Sequence, residues 1–254
     1  MFDKIINFLW VTNHLEKYPK NTNFTANEIQ SFFIHKENSL TLKIILPGWG
    51  DGFSWVTKVL VKRLSRKGFS CLAYSLPRTI LPHNPNLALG IFNIVKESIK
   101  KDITNIKSQY NFKKIDIIAP SLGVVIACLI ANGNKDITNT FFIVPGGCLA
   151  SSLWDGVRTQ RLKQIYETQG IDKEKLKKLW YSLAPQNNIG ILSNKRIFIA
   201  ISKSDKVIPY HFGKELADLA KKLYPNNTLV QENSYLGHYL TAIKYYLFDK
   251  ELLN

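Results

Sequence analysis

Cysteine is scarce in this chain of 254 residues: there are three, Cys71, Cys128 and Cys148, and none of them forms a C-x-x-C pair. An odd, scattered set of this kind excludes a disulfide framework and a cysteine zinc site. Cys71 and Cys128 lie in apolar runs and read as small core residues. Acidic residues are also few, 19 Asp and Glu against 34 Lys and Arg. Long hydrophobic runs are missing: the apolar stretch Ile117–Ala131 is shorter than the ~20 residues of a membrane helix and holds Pro120, Ser121 and Gly123. The first residues lack the basic start and small-residue cleavage site of a signal peptide, so a cytoplasmic location is expected. No internal repeat and no Gly/Ser linker divides the chain, which reads as one domain over residues 1–254.

Forty-five per cent of the residues are hydrophobic and the formal charge is +15, with a pI near 9.6. Such a chain is too apolar for disorder and long enough to bury one good core. The charge raises nucleic acid or an anionic membrane as partners. The lysines are scattered, however, with no arginine-rich stripe and no aromatic-interleaved motif, so no nucleic-acid partner is expected.

Ile5, Phe8, Leu9, Thr12 and Leu15 recur at helical spacing, predicting an N-terminal helical extension within residues 1–30. Such an amphipathic start can touch a membrane surface; packing on the body is the simpler reading. Strands are then predicted over Gln30–His35, Leu40–Leu46, Phe69–Leu76, Ile115–Ala119, Phe141–Val144, Arg196–Ile201 and Thr228–Glu232. Helices fall between them, including Leu87–Tyr110 and Val124–Ala131. Continuous apolar strands alternating with helices imply a mostly parallel sheet covered on both faces. Residues 151–184 break the alternation with helical spacing alone. This is the expected lid insertion, within about 148–190, folding over the carboxyl edge of the sheet. Seven Lys and Arg against four Asp and Glu give residues 151–184 a net +3, read as a solvated helix face, with steering of an anionic substrate as the alternative.

Four loops follow strands and carry reactive residue types. In Ala119-Pro120-Ser121-Leu122-Gly123 a buried strand runs straight into a helix with one serine at the junction, in the manner of a nucleophile elbow. The turn is sharp, so the positions two before and two after the serine must be small, and they are Ala119 and Gly123. Pro47-Gly48-Trp49-Gly50-Asp51-Gly52 follows an earlier strand and suits an oxyanion loop. The backbone N–H groups of Trp49 and Leu122 are the candidate donors, and Gly48 a candidate substrate contact. Asp205, in Ser202-Lys203-Ser204-Asp205, lies at a strand's carboxyl end, and His238 precedes the last helix. The order Ser121, Asp205, His238 suits a nucleophile, an orienting acid and a general base. Leu153, Trp154, Trp180 and Leu183 either line an apolar acyl pocket or pin the lid to the body; Trp154 is the candidate substrate contact. No metal-ligand spacing is present.

With these four motifs in order, residues 38–250 resemble the α/β-hydrolase superfamily, in its serine-nucleophile branch. The resemblance implies a doubly wound, mostly parallel sheet of about eight strands with a helical lid insertion. It implies Ser121, Asp205 and His238 as the catalytic triad and the N–H groups of Trp49 and Leu122 as the oxyanion hole. The expected activity is hydrolysis of a small-molecule carboxylic ester or thioester with no cofactor. Acyl transfer by the same triad and a non-catalytic binding role remain as alternatives. Pro47 stands where the family's loop commonly has His.

Overall fold

The computed structural model describes residues 24–50, 54–192 and 194–253. The expected N-terminal helix, His14 and Asp51 lie outside them. Seven strands form one sheet: β1 (Gln30–Ile34), β2 (Thr41–Ile45), β3 (Ser70–Ser75), β4 (Lys114–Pro120), β5 (Ile137–Ile143), β6 (Arg196–Ser202) and β7 (Thr228–Asn233), in the spatial order β1-β3-β2-β4-β5-β6-β7. All neighbours are parallel except β1, which runs antiparallel to β3 at one edge. The sheet thus has seven strands among the described residues where about eight were implied.

Burial on both faces follows from the strand period of two. Ile44, Leu72, Tyr74, Ile117, Ile197 and Ile199 join one core cluster; Ile45, Cys71, Ala73, Ile118, Phe198 and Ala200 join the other. Helices α1 (Trp55–Arg66) and α9 (Gly237–Phe248) cover the second face through Leu60, Leu64, Tyr245 and Tyr246. Helices α2 (Ala88–Gln109), α3 (Gly123–Ala131) and α8 (Tyr210–Leu223) cover the first. The chain leaves β2 toward β3 and leaves β4 toward β5, in opposite directions along the sheet. The ends of β2 and β4 therefore flank the switch point of the topology, where open α/β sheets form a crevice.

Between β5 and β6 lies the helical segment expected from the sequence: α4 (Leu149–Asp155), α5 (Gln160–Thr168), α6 (Lys173–Leu179) and α7 (Pro185–Asn188). Among the described residues no helix is long and apolar enough to cross a membrane. Burial pushes the Cys71 thiol up to about 12 and that of Cys128 up as well, so both stay protonated as core residues.

Strand β5 begins four residues earlier than its apolar run suggests. Its polar first half is used by an ion pair in the neighbouring strands. Lys43 and Asp116, only 1% and 3% exposed, meet at 2.8 Å. Asp116 Oδ1 also accepts from Thr138 Oγ1 at 3.1 Å and Asn139 Nδ2 at 2.6 Å. The Lys43 ammonium lies 4.4 Å from the Phe69 ring centroid. The charges are thus saturated before they leave water. Asp116→Ala strands a buried ammonium and should cost about 3–5 kcal/mol, seen as a lower urea midpoint at unchanged m value. The double replacement Lys43→Met with Asp116→Leu should cost less than the single one.

Candidate active site

Ser121 follows the last residue of β4 and has φ +50°, the left-handed region that a non-glycine residue adopts only under constraint. Its N–H donates to the Ile143 carbonyl at 2.9 Å, and its own carbonyl accepts from Val124 N at 3.1 Å. Strand and helix are thereby joined with no intervening loop. Pro120, whose missing N–H removes a ladder donor, is the final residue of β4, where the ladder ends. Gly123 explains the small residue two after the serine: a Cβ there would sit 2.8 Å from the Pro47 carbonyl oxygen and 3.3 Å from Leu46 Cβ. The elbow is packed directly on the loop that follows β2.

That loop brings Trp49 to Ser121. Trp49, Ser121 and Leu122 share the wall of a cavity of about 60 Å³, so the serine and both residues expected to supply oxyanion donors meet in one place. The Trp49 indole N–H is held by the Arg78 carbonyl at 3.1 Å. Leu81, Val125, Leu149, Leu153, Val207 and Ile208 make most of the wall apolar, and Gly146, Ser152, Arg158 and Thr159 complete it.

Asp205 and His238 are paired. His238 Nδ1 lies 2.7 Å from Asp205 Oδ2, and the two residues are 4% and 7% exposed. The other carboxylate oxygen, Oδ1, accepts from the backbone N–H of Val207 at 2.9 Å and of Ile208 at 3.0 Å. An ionised carboxylate only accepts, so the imidazole must donate from Nδ1 and keep Nε2 as its acceptor. Val207 and Ile208, fixed by Asp205, are also cavity residues, which ties this pair to the wall that Ser121 shares. The turn before His238 needs glycine: Gly237 has φ +64°. Its N–H is received by Ser204 Oγ at 2.9 Å and Ser202 Oγ at 3.2 Å, and Asn233 Oδ1 accepts from Leu236 N at 3.2 Å. Ser202, Ser204 and Asn233 thus position the histidine. Sequence reasoning passed over them, although Ser202 and Ser204 stand three residues and one residue before Asp205.

The remaining candidates fall elsewhere. Gly48 is not on the cavity wall, nor is Trp154, which packs on the core with Lys163 Nζ 5.4 Å from its ring centroid. Residues one and two before it, Leu153 and Ser152, face the cavity instead. Trp180 pins the insertion to the body: its indole N–H donates to the Pro85 carbonyl at 2.9 Å, beside the Tyr166 hydroxyl, which donates to the Pro82 carbonyl at 2.6 Å. His35 stacks on Tyr110, and His83 and His211 are likewise off the cavity wall. Among the described residues no three His, Cys, Asp or Glu side chains gather as metal ligands.

In sequence, no protein-family model and no curated protein matches the chain. Solved structures do resemble it. An esterase of Pyrococcus furiosus is 16% identical with a TM-score of 0.58, over 92% of this chain and 93% of that one. An acetyl xylan esterase from Paenibacillus sp. R4 is 12% identical with a TM-score of 0.62, over 91% and 88%. A serine hydrolase from Cycloclasticus zankles is 14% identical with a TM-score of 0.56, over 91% and 95%. At such identities the likeness establishes the fold, which is that of the α/β hydrolases.

The contact of Gly123 with Pro47 makes a direct test of the elbow. Gly123→Ala should force the two loops apart and cost about 1–3 kcal/mol as an overpacked site. Urea unfolding measures the loss; a variant as stable as the wild type would mean that the loops are not in contact.

Proposed function

We propose that the chain is a serine hydrolase that cleaves a carboxylic ester or thioester through an acyl-enzyme on Ser121. One observation carries this reading: Ser121, held in a left-handed turn, faces the same cavity as the loop whose backbone caps Asp205, and Asp205 in turn orients His238. In the proposed reaction His238 Nε2 takes the Ser121 proton as Oγ attacks the carbonyl carbon. The resulting oxyanion is stabilised by the N–H groups of Trp49 and Leu122. The tetrahedral intermediate collapses, His238 protonates the leaving alcohol or thiol, and the acyl group stays on Ser121. Water, deprotonated by His238, then attacks the acyl-enzyme and releases the acid. Asp205 keeps the imidazole in the required tautomer and stabilises its charged form. The step needs no cofactor. Folds of this kind host many chemistries, so the residues carry the reading.

A fluorophosphonate probe should label the wild-type protein at Ser121, and Ser121→Ala should remove the label. Failure of the folded wild type to react would overturn the hydrolase reading in favour of a binding role. On p-nitrophenyl acetate, His238→Ala should lower kcat by several orders of magnitude and Asp205→Asn by about 10³–10⁴-fold. Turnover near the wild-type rate would remove that residue from the mechanism.

A further inference from the structure

Helix α1 buries Thr57, Leu60, Val61 and Leu64 and turns its other side to solvent. On that outer side Trp55 is 64% exposed and Val59 36%, beside the exposed Lys58, Lys62 and Arg66 and the half-buried Arg63. Spacings of three and four residues place all of these in one band along the helix. Among the described residues none of its four cations forms an ion pair. Other helices pair cations with their own acids: Lys163 with Glu167 on α5, Lys177 with Glu174 on α6 and Lys214 with Asp218 on α8. Helix α1 has no acid to offer, and no Asp or Glu occurs anywhere in residues 52–96. Lys58, Lys62 and Arg66 follow one another at intervals of four residues, where like charges repel.

The band continues onto both neighbours of the helix. Toward the sheet edge, Lys58, Lys62 and Arg66 line a groove whose apolar wall is made by Phe32 and Ile34 of β1 with Val61, and no acid is among its lining residues. Toward α9, the Arg63 guanidinium carbon lies 5.9 Å from the ring centroid of Phe248, itself 70% exposed. Asp249 and Glu251, just beyond Phe248, close the band on that side. A row of mutually repelling cations interleaved with exposed Trp, Val and Phe side chains complements a surface that sets dense negative charge beside apolar matter. An anionic bilayer offers both: its headgroups take the cations, and its interfacial region takes the aromatic rings. A nucleic-acid backbone matches the charge but leaves Val59 and Phe248 in water. We propose that the outer face of α1 docks on a bilayer containing anionic phospholipid. The protein lies on such a surface rather than in it, since no described helix is long and apolar enough to cross a membrane. This docking face is independent of the hydrolase reading.

Co-sedimentation of the full chain with vesicles tests this. The wild type should pellet with phosphatidylcholine vesicles that contain about 30% phosphatidylserine and stay in solution with phosphatidylcholine alone. It should come off the mixed vesicles as salt rises from about 50 to about 500 mM. The combined variant Lys58→Gln, Lys62→Gln, Arg66→Gln keeps helix propensity and should lower the partition coefficient by about tenfold or more. Trp55→Ala should lower it by a smaller factor. A second combined variant, Lys113→Gln, Lys135→Gln, Lys222→Gln, removes the same charge from exposed positions outside the band and should keep most of the binding. A urea midpoint at or above that of the wild type is expected for the band variant, because its mutual repulsion is relieved, and shows that it is folded. A wild type that ignores the mixed vesicles or binds both kinds equally overturns the proposal, as does a band variant that binds like the wild type. An equal loss in the two combined variants overturns it by assigning the binding to the net charge of the chain. Tight binding of a DNA duplex at ~150 mM salt, lost in the band variant, with the vesicles left unbound, would give this face to nucleic acid instead.

Discussion

The site depends on a backbone conformation that no local preference favours. Ser121 turns at φ +50° and, one strand over, Val144 turns at φ +48°. For a β-branched residue that value is a true outlier, and each such residue costs about 1–3 kcal/mol. Both are held by their neighbours across the sheet. Ser121 N–H is bonded to the Ile143 carbonyl at 2.9 Å and Val144 N–H to the Ala200 carbonyl at 2.8 Å. The ends of β4, β5 and β6 are thus laced in series, and the order of these strands supports the turn at the first of them. The close approach of Gly123 to the Pro47 oxygen extends the same support to β2. Four strand ends therefore fix one serine.

Charge is distributed in keeping with that geometry. Of the insertion's cations, Lys173 meets Asp155 at 2.6 Å, Lys177 meets Glu174 at 2.8 Å and Lys163 approaches Glu167 at 3.8 Å, all on partly solvated side chains. Surface pairs of this kind contribute little to stability. They fit the reading of the +3 as a solvated face.

Much of the architecture was legible because the chemistry that shapes a strand is local. Two-sided burial leaves continuous apolar runs, and the residues after β2, β4 and β6 stand at the sheet edge where the motifs place them. What was not legible depends on partners far apart in sequence. The first half of β5, with Thr138 and Asn139, does not read as a buried strand until Asp116 is known to receive their hydrogen bonds. In the insertion, size misled: Trp154 drew attention as a pocket residue, but α4 is buried along Leu149 to Leu153, so amphipathic spacing has no solvent face from which to infer the cavity face. The smaller Ser152 occupies that face. Ser202 and Ser204 have no periodicity to reveal them, only their place just before Asp205.

The helical insertion is anchored on two sides. Toward the body, Tyr166 and Trp180 donate to the carbonyls of Pro82 and Pro85. Toward the acid loop, Val157 N–H donates to the Lys206 carbonyl at 3.2 Å, and Gly156 packs so closely on the Val207 carbonyl that a Cβ would come within 2.4 Å of it. The residue joined to Val157, Lys206, is the neighbour of Asp205, and Arg158 in turn reaches the ring beside His238. Lifting the insertion as a flap would break these hydrogen bonds together, two of them from buried aromatic side chains, and would pull on the loop that holds Asp205 against His238. Such an opening would also expose the buried rings of Tyr166 and Trp180 to water. The segment supplies part of the cavity wall, and the same few contacts tie the shape of the cavity to the Asp205–His238 pair.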